Sequence, residues 1–259
     1  MNKWKRIVVK VGTSTVCHPN GAPNLKRLDM LCRTISDLKN QGMEIVLVTS
    51  GAIGIGVNKM GLQSRPENLA DRQAAASIGQ CELMRIYDRF FLDYGSLTGQ
   101  ILLTKGITED KVQKKNVIAT FEALLNMHVI PIVNENDSVA TEEIVYGDND
   151  TLSAVVAQFT DADILILLTD TEGLYDSDPS LNPDAQLIRT VDDPDDVESL
   201  AGGVRSSQGT GGMITKVHAA AIARRSGIPT IVAGGRNPSI LYDIAEGIPH
   251  GTYFRAGKD

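Results

Sequence analysis

The sequence predicts an α/β sandwich on a largely parallel sheet of eight strands. Three observations predict it. Short apolar, β-branched runs recur along the chain. Segments with apolar residues three and four apart separate most of them, the alternation expected of parallel strands joined by helices. The strand ends open into loops rich in Gly, Ser, Thr, Asn and Asp, where open α/β sheets bind ligands.

The elements follow in order. Residues 6–11 form a β-branched strand, followed by the small-residue loop Gly12, Thr13, Ser14 and Thr15. Leu25, Leu28, Leu31, Ile35 and Leu38 mark one face of a helix closed by Gly42. Residues 44–48 are the next strand, running into a second Gly-rich loop at 49–56. A long helical region covers about 66–91, and 100–103 is strand-like. Residues 117–127 are helical, with Val117, Phe121, Leu124 and Leu125 on one side. A strand at 129–133 leads into the polar segment 134–151, and a helix follows at 152–159. Asn149 or Asp150 can cap that helix. Then come a continuous apolar strand at 163–168, an edge strand at 187–191 and a short acidic helix at 194–200. The Gly-rich stretch 206–213 leads into a helix at 214–225. Strands at 230–233 and 252–254 flank a helix at 240–246. The 259 residues read as one domain, without low-complexity tract, linker or internal repeat.

Composition excludes several classes. Hydrophobic residues are 42% and charged residues 22%, ordinary for a soluble globular protein. A net charge of -7 provides no basic field for nucleic acid. No apolar run reaches the ~20 residues that span a bilayer. Cys17, Cys32 and Cys81 lack metal-ligand spacing and are odd in number, which fits a reducing cytoplasm. The four histidines are scattered, so a protein-held zinc is not expected.

Four loops can carry chemistry beside the polar segment, whose Asn134, Asp137, Asp148, Asn149 and Asp150 suit a small polar ligand. Lys10 is a strand lysine one residue before a Gly-rich loop. Either it snorkels from an edge or it meets a phosphate. Ser50 and Gly51 begin a turn whose backbone N–H groups can approach an anion, or which is simply tight. Thr210, Gly211, Gly212, Met213, Ile214, Thr215 and Lys216 place glycines, a hydroxyl and a lysine at a helix start, as a phosphate nest would. The alternative is a floppy connector with an N-cap. Thr169, Asp170 and Tyr175 lie in a turn that flanks a nucleotide or is merely solvated. No Walker A motif, dinucleotide fingerprint or protein-kinase set is present.

The segments VKVGTST (9–15), VTSGAIGIG (48–56), VNENDSV (133–139), GDNDTLSA (147–154), LLTDTEGLYDSDP (167–179) and GTGGMITK (209–216) resemble the glutamate 5-kinases. The resemblance runs from Ile7 to about Phe254. It implies a three-layer α/β/α sandwich of the amino acid kinase, or carbamate kinase-like, type. It implies ATP-dependent phosphorylation of the γ-carboxylate of L-glutamate with Mg²⁺, as the first step of proline synthesis. It further implies inhibition by proline and a homo-oligomer (dimer or tetramer), with a glutamyl 5-phosphate reductase as a candidate partner. Carried over by motif, Lys10 and Lys216 hold the transferring phosphoryl group and Asp150 positions them. Ser50, Gly51, Asn134, Asp137, Asp148 and Asn149 form the glutamate site, mainly in the N-terminal part. Lys10, Gly12, Thr13, Ser14, Thr169, Asp170, Tyr175 and the run 210–216 form the ATP site, mainly in the C-terminal part. No protein-held metal cage is expected. The chain matches a short form without the PUA-type domain that many relatives append. Rival readings are another enzyme of this fold, with a different carboxylate, carbamate or nucleotide as acceptor, and a silent amino-acid sensor. A nucleotide acceptor calls for arginines that 134–151 lacks, and intact Lys10, Asp150 and Lys216 argue against the sensor.

Overall fold

The computed structural model describes residues 4–139, 149–201 and 212–257. Its strands are β1 (Arg6–Val11), β2 (Glu44–Val48), β3 (Thr98–Leu103), β4 (Ile130–Glu135), β5 (Ile164–Thr169), β6 (Thr190–Val191), β7 (Thr230–Gly234) and β8 (Thr252–Phe254). Among the described residues they form one eight-stranded sheet in the order β3-β4-β2-β1-β5-β7-β8-β6. The β7–β8 pair is antiparallel and the other pairs are parallel. Strands β1, β2, β4, β5 and β7 are almost wholly buried. This explains their unbroken apolar runs: a sheet covered on both faces has no polar side to write into the sequence.

The helices are α1 (Thr13–Val16), α2 (Leu25–Asn40), α3 (Ala52–Lys59), α4 (Leu69–Asp93), α5 (Lys111–Asn126), α6 (Asn149–Phe159), α7 (Glu198–Ala201), α8 (Met213–Arg224) and α9 (Ile240–Glu246). They pack in two layers. Ile7, Val9 and Val11 of β1 share a core with α2, α4 and α9. Val8 faces the opposite core, shared with α5, α6 and α8. Strand side chains alternate. Lys10 therefore points to the side of α6 and α8, between Val48 and Leu167 of the flanking strands. The three-layer sandwich agrees with the expected fold class.

Several boundaries differ from the sequence reading. The loop expected after β1 contains a one-turn helix, α1. The Gly-rich loop expected at 49–56 ends at Gly51, whose φ of 97° caps α3, and residues 52–56 are helical. The reason is close packing. A Cβ on Gly56 would lie 1.8 Å from the Ala75 carbonyl oxygen, and one on Gly79 would lie 1.7 Å from that of Ala52. Helices α3 and α4 thus touch backbone to backbone, and the glycines permit contact rather than a loop. Helix α5 begins earlier than expected, because the Asp110 carboxylate accepts from the N–H groups of Val112 and Gln113. Helix α6 begins at Asn149, so Asn149 and Asp150 lie in its first turn rather than capping it. Leu25 is exposed and leaves the buried face of α2. The expected strand at 187–191 shrinks to Thr190–Val191, with Leu187 in an isolated bridge to Tyr175.

Candidate active site

The carboxyl ends of β1, β2, β4 and β5 converge with the first turns of α6 and α8. Asp150, in the first turn of α6, is fully buried. Its Oδ1 lies 2.5 Å from Lys10 Nζ and its Oδ2 3.0 Å from Lys216 Nζ. Both lysines are themselves buried, at 5% and 6% exposure. A buried ammonium is tolerated only when paired, so the two positive charges account for one buried carboxylate and the reverse. The Thr215 hydroxyl also donates to Asp150 Oδ2, at 2.9 Å. The first turn of a helix favours a carboxylate, which further suits Asp150 to its place. The trio carries one net positive charge, the polarity that receives an anion.

Beside it stands a chain of side-chain amides. Asn149 Nδ2 lies 2.5 Å from the Thr49 carbonyl oxygen, 2.8 Å from Asn134 Oδ1 and 3.1 Å from Ser50 Oγ. Asn134 Nδ2 donates to Gln80 Oε1 at 2.7 Å. The Thr49 hydroxyl meets the Tyr87 hydroxyl at 2.8 Å. Helix α4 thus supports the end of β2 through Tyr87 and the end of β4 through Gln80. Gly51, left-handed at φ 97°, turns the chain from β2 into α3.

The structure therefore brings together Lys10, Asp150 and Lys216, and separately Ser50, Asn134 and Asn149. Gly12 adjoins the first group: a Cβ there would lie 3.8 Å from Lys10 Nζ. Thr13 and Ser14 follow in α1, where the Ser14 carbonyl accepts from Arg27 Nη1 at 2.7 Å. Thr169 ends β5 and donates to Asp170 Oδ1 at 3.1 Å. Gly212 precedes α8, and its carbonyl oxygen lies 2.8 Å from the Thr215 hydroxyl, sharing that single proton with Asp150. The side chains of Met213 and Ile214 pack with the core rather than standing free for a ligand. Tyr175 is half-buried in the turn after β5. Asp137 stands just beyond β4, and no hydrogen bond joins it to the amides among the described residues. Burial pushes its carboxyl pKa up, with Arg65 opposing the rise. Asp148, Thr210 and Gly211 lie outside the described residues. A concavity of about 930 Å³ lined by Trp4, Met43, Gln158 and Pro229 lies at the amino ends of the strands, away from all of these groups.

The sequence reading missed Gln80, Thr49 and the tie from Thr215 to Asp150. Gln80 carried a usable signal. It falls on the stripe of α4 that buries Ala76, Leu83, Tyr87 and Phe91, where a polar residue calls for a reason.

A family model described as "Amino acid kinase family" matches residues 5–234. A glutamate 5-kinase of Clostridium perfringens is 49% identical over 98% of this chain and 96% of the relative. One from Listeria innocua is 47% identical over 98% and 94%. Among solved structures, a carbamate kinase from Giardia lamblia bound to AMP-PNP aligns with a TM-score of 0.69 at 14% identity, covering 99% of this chain and all of that one. A UMP kinase from Bacillus anthracis aligns at 0.68 and 16%, covering 97% and 96%. At such identities these two bear on the fold alone.

Proposed function

Because the chain belongs to the glutamate 5-kinases of the amino acid kinase family, we propose that it transfers the γ-phosphoryl group of ATP to the γ-carboxylate of L-glutamate. The observation that carries this reading is the buried Lys10–Asp150–Lys216 trio beside the Ser50–Asn149–Asn134 amides. A glutamate carboxylate oxygen attacks the γ-phosphorus, the bond to the bridging oxygen breaks, and ADP leaves. Such a transfer needs alignment and charge neutralisation more than covalent help. Lys10 and Lys216 meet the equatorial oxygens as charge moves toward ADP. Asp150 holds both ammoniums in place and offsets their repulsion. A glutamate side chain is already a carboxylate at neutral pH, its ordinary pKa being ~4.3, so no base is required.

The amides suit the acceptor. Asn149 spends its nitrogen on Thr49, Asn134 and Ser50. Its Oδ1 then suits the substrate ammonium, together with Asp137, while Ser50 suits a carboxylate. The ATP site extends over Gly12, Thr13, Ser14, Thr169, Asp170 and the start of α8. Both Asp150 oxygens already face ammoniums, so that carboxylate is not offered to a cation. This donor set suits Mg²⁺ carried on nucleotide phosphates and water. When bound, it neutralises phosphate charge.

The activity fits the first step of proline synthesis in the cytoplasm, in a homo-oligomer, with a glutamyl 5-phosphate reductase as a candidate partner. Proline resembles a ring-closed glutamate and inhibits by occupying the Asp137 and Asn149 region. The residues read as a single catalytic domain. Coupled ADP release with Mg-ATP and glutamate, aspartate, carbamate or UMP tests the reaction. Turnover confined to glutamate is expected, and none with glutamate would overturn the reading. Proline should raise the apparent KM for glutamate without lowering kcat. Inhibition insensitive to glutamate would place the effector elsewhere.

A further inference from the structure

We infer that Gln80 determines acceptor specificity, its amide nitrogen donating to the carboxylate of the substrate that does not react. The inference rests on the glutamate reading above. The Thr49 carbonyl oxygen can only accept, so the Asn149 atom 2.5 Å from it is the amide nitrogen. The Asn134 atom 2.8 Å from that nitrogen is then an oxygen. The other Asn134 atom is a nitrogen, and the Gln80 atom 2.7 Å from it is an oxygen. One main-chain carbonyl thereby orients three amides in series, and Gln80 Nε2 is the donor at the end of the series.

That nitrogen is shielded from solvent and has no hydrogen-bond partner among the described residues. Buried donors are rarely left so, and an orphan beside a candidate site points to a ligand acceptor. Gln80 itself is half-buried, so its amide end can turn toward an entering carboxylate. It lies on the buried stripe of α4, next to Gly79, whose backbone abuts the Ala52 carbonyl at the start of α3. The series leads from Asn149, the neighbour of Asp150, through Asn134 to Gln80. Asn134 lies at the end of β4, which β2 separates from the β1 that carries Lys10, so the series leads away from that lysine. Of the two glutamate carboxylates, the reacting one belongs with Lys10 and Lys216. The α-carboxylate is left for Gln80.

The test is a preference swap. Gln80→Glu keeps an oxygen for Asn134 to donate to, but replaces the free donor by an anionic acceptor. Steady-state kinetics compare glutamate with isoglutamine, its α-carboxamide, for wild type and variant. The KM for glutamate should rise about a hundredfold, with kcat and the ATP KM within about twofold of wild type. The kcat/KM ratio of isoglutamine to glutamate should rise about a hundredfold, because the α-amide can donate to the new carboxylate. A purely structural role would depress both acceptors alike and lower the melting temperature, leaving that ratio unchanged. Should Gln80→Glu fail to fold, Gln80→Met carries the test, with a rise of about tenfold in glutamate KM and no change in ATP KM. A wild type active on glutamate, with a variant of unchanged glutamate KM or unchanged acceptor ratio, overturns this inference and leaves the proposed function standing. A wild type inactive on glutamate overturns both.

Discussion

Two substitutions at Asp150 separate an organising carboxylate from a catalytic base. Asp150 is fully buried and touches two buried ammoniums, at 2.5 and 3.0 Å. Asp150→Ala leaves those charges facing each other across a void. Removing one partner of a buried pair costs about 3–5 kcal/mol. For a chain of this size each kcal/mol lowers the melting temperature by about 2–4 °C, so a drop of roughly 6–20 °C is expected. Asp150→Asn keeps the shape. Its oxygen still accepts from one lysine, while its amide nitrogen faces the other, so one of two contacts survives. Misplacing one charge-stabilising donor costs about 10²–10³ in kcat, which is the expected loss for asparagine. Alanine loses both contacts and should fall about another tenfold or more. The assay is a pH–rate profile of kcat for wild type and both variants, with calorimetry alongside. Residual activity should show no new pH dependence between about 6 and 8, since the attacking carboxylate has no proton to give. A base would contribute about 10²–10⁴, and its loss would leave both variants equally inactive. Equal loss, with rescue by added bases in order of their basicity, would refute the organising role.

Three further expectations follow from named contacts. Lys10→Ala and Lys216→Ala should each lower kcat strongly with a smaller change in glutamate KM, because in the proposed mechanism their contacts tighten only as the phosphoryl group moves. Near wild-type kcat in either would remove that lysine from the chemistry. Gly79→Ala drives a methyl group into the Ala52 carbonyl, a site that must shift rather than absorb it. It should destabilise by about 1–3 kcal/mol or more and raise glutamate KM through the displaced Ser50 turn, whereas an unchanged melting temperature would contradict the close helix contact. Burial raises the folded-state pKa of Asp137, so ionisation penalises the ligand-free fold. The penalty sets in as pH rises through the unfolded carboxyl pKa and is complete above the folded one. Asp137→Asn should therefore raise the ligand-free melting temperature at pH 7, with the gain vanishing in acid, while glutamate KM rises. A lower melting temperature at pH 7 would show that the charge is satisfied within the protein.

The residues 5–234 that match the kinase family contain both the trio and the amide series. Helix α4 carries Gln80, the last amide of that series. Its Tyr87 and Gln80 reach the ends of β2 and β4, and its Gly79 sets the position of α3. The amides at the ends of β2 and β4 are thus supported by a helix that carries none of the quoted kinase segments.

Sequence alone determined the layers, because burial on both faces leaves a readable trace. Strands such as Ile164–Thr169 are continuous apolar runs, and α2 repeats Leu28, Leu31, Ile35 and Leu38 at helical spacing. It also exposed Lys10 as a charge in a strand with no polar face. It misread the glycines near 51–56, since composition does not distinguish a glycine that turns the chain from one that lets two helices touch. Only the tertiary structure decided which charges meet. Lys10 faces α6 because of the side on which alternation places it in β1, and Lys216 joins it because α8 packs beside α6. Gln80 became a donor only through a carbonyl at Thr49 and two intervening amides. Periodicity is a local property of the chain. The partner of a buried polar atom is set by sheet register and helix docking, which no local pattern records.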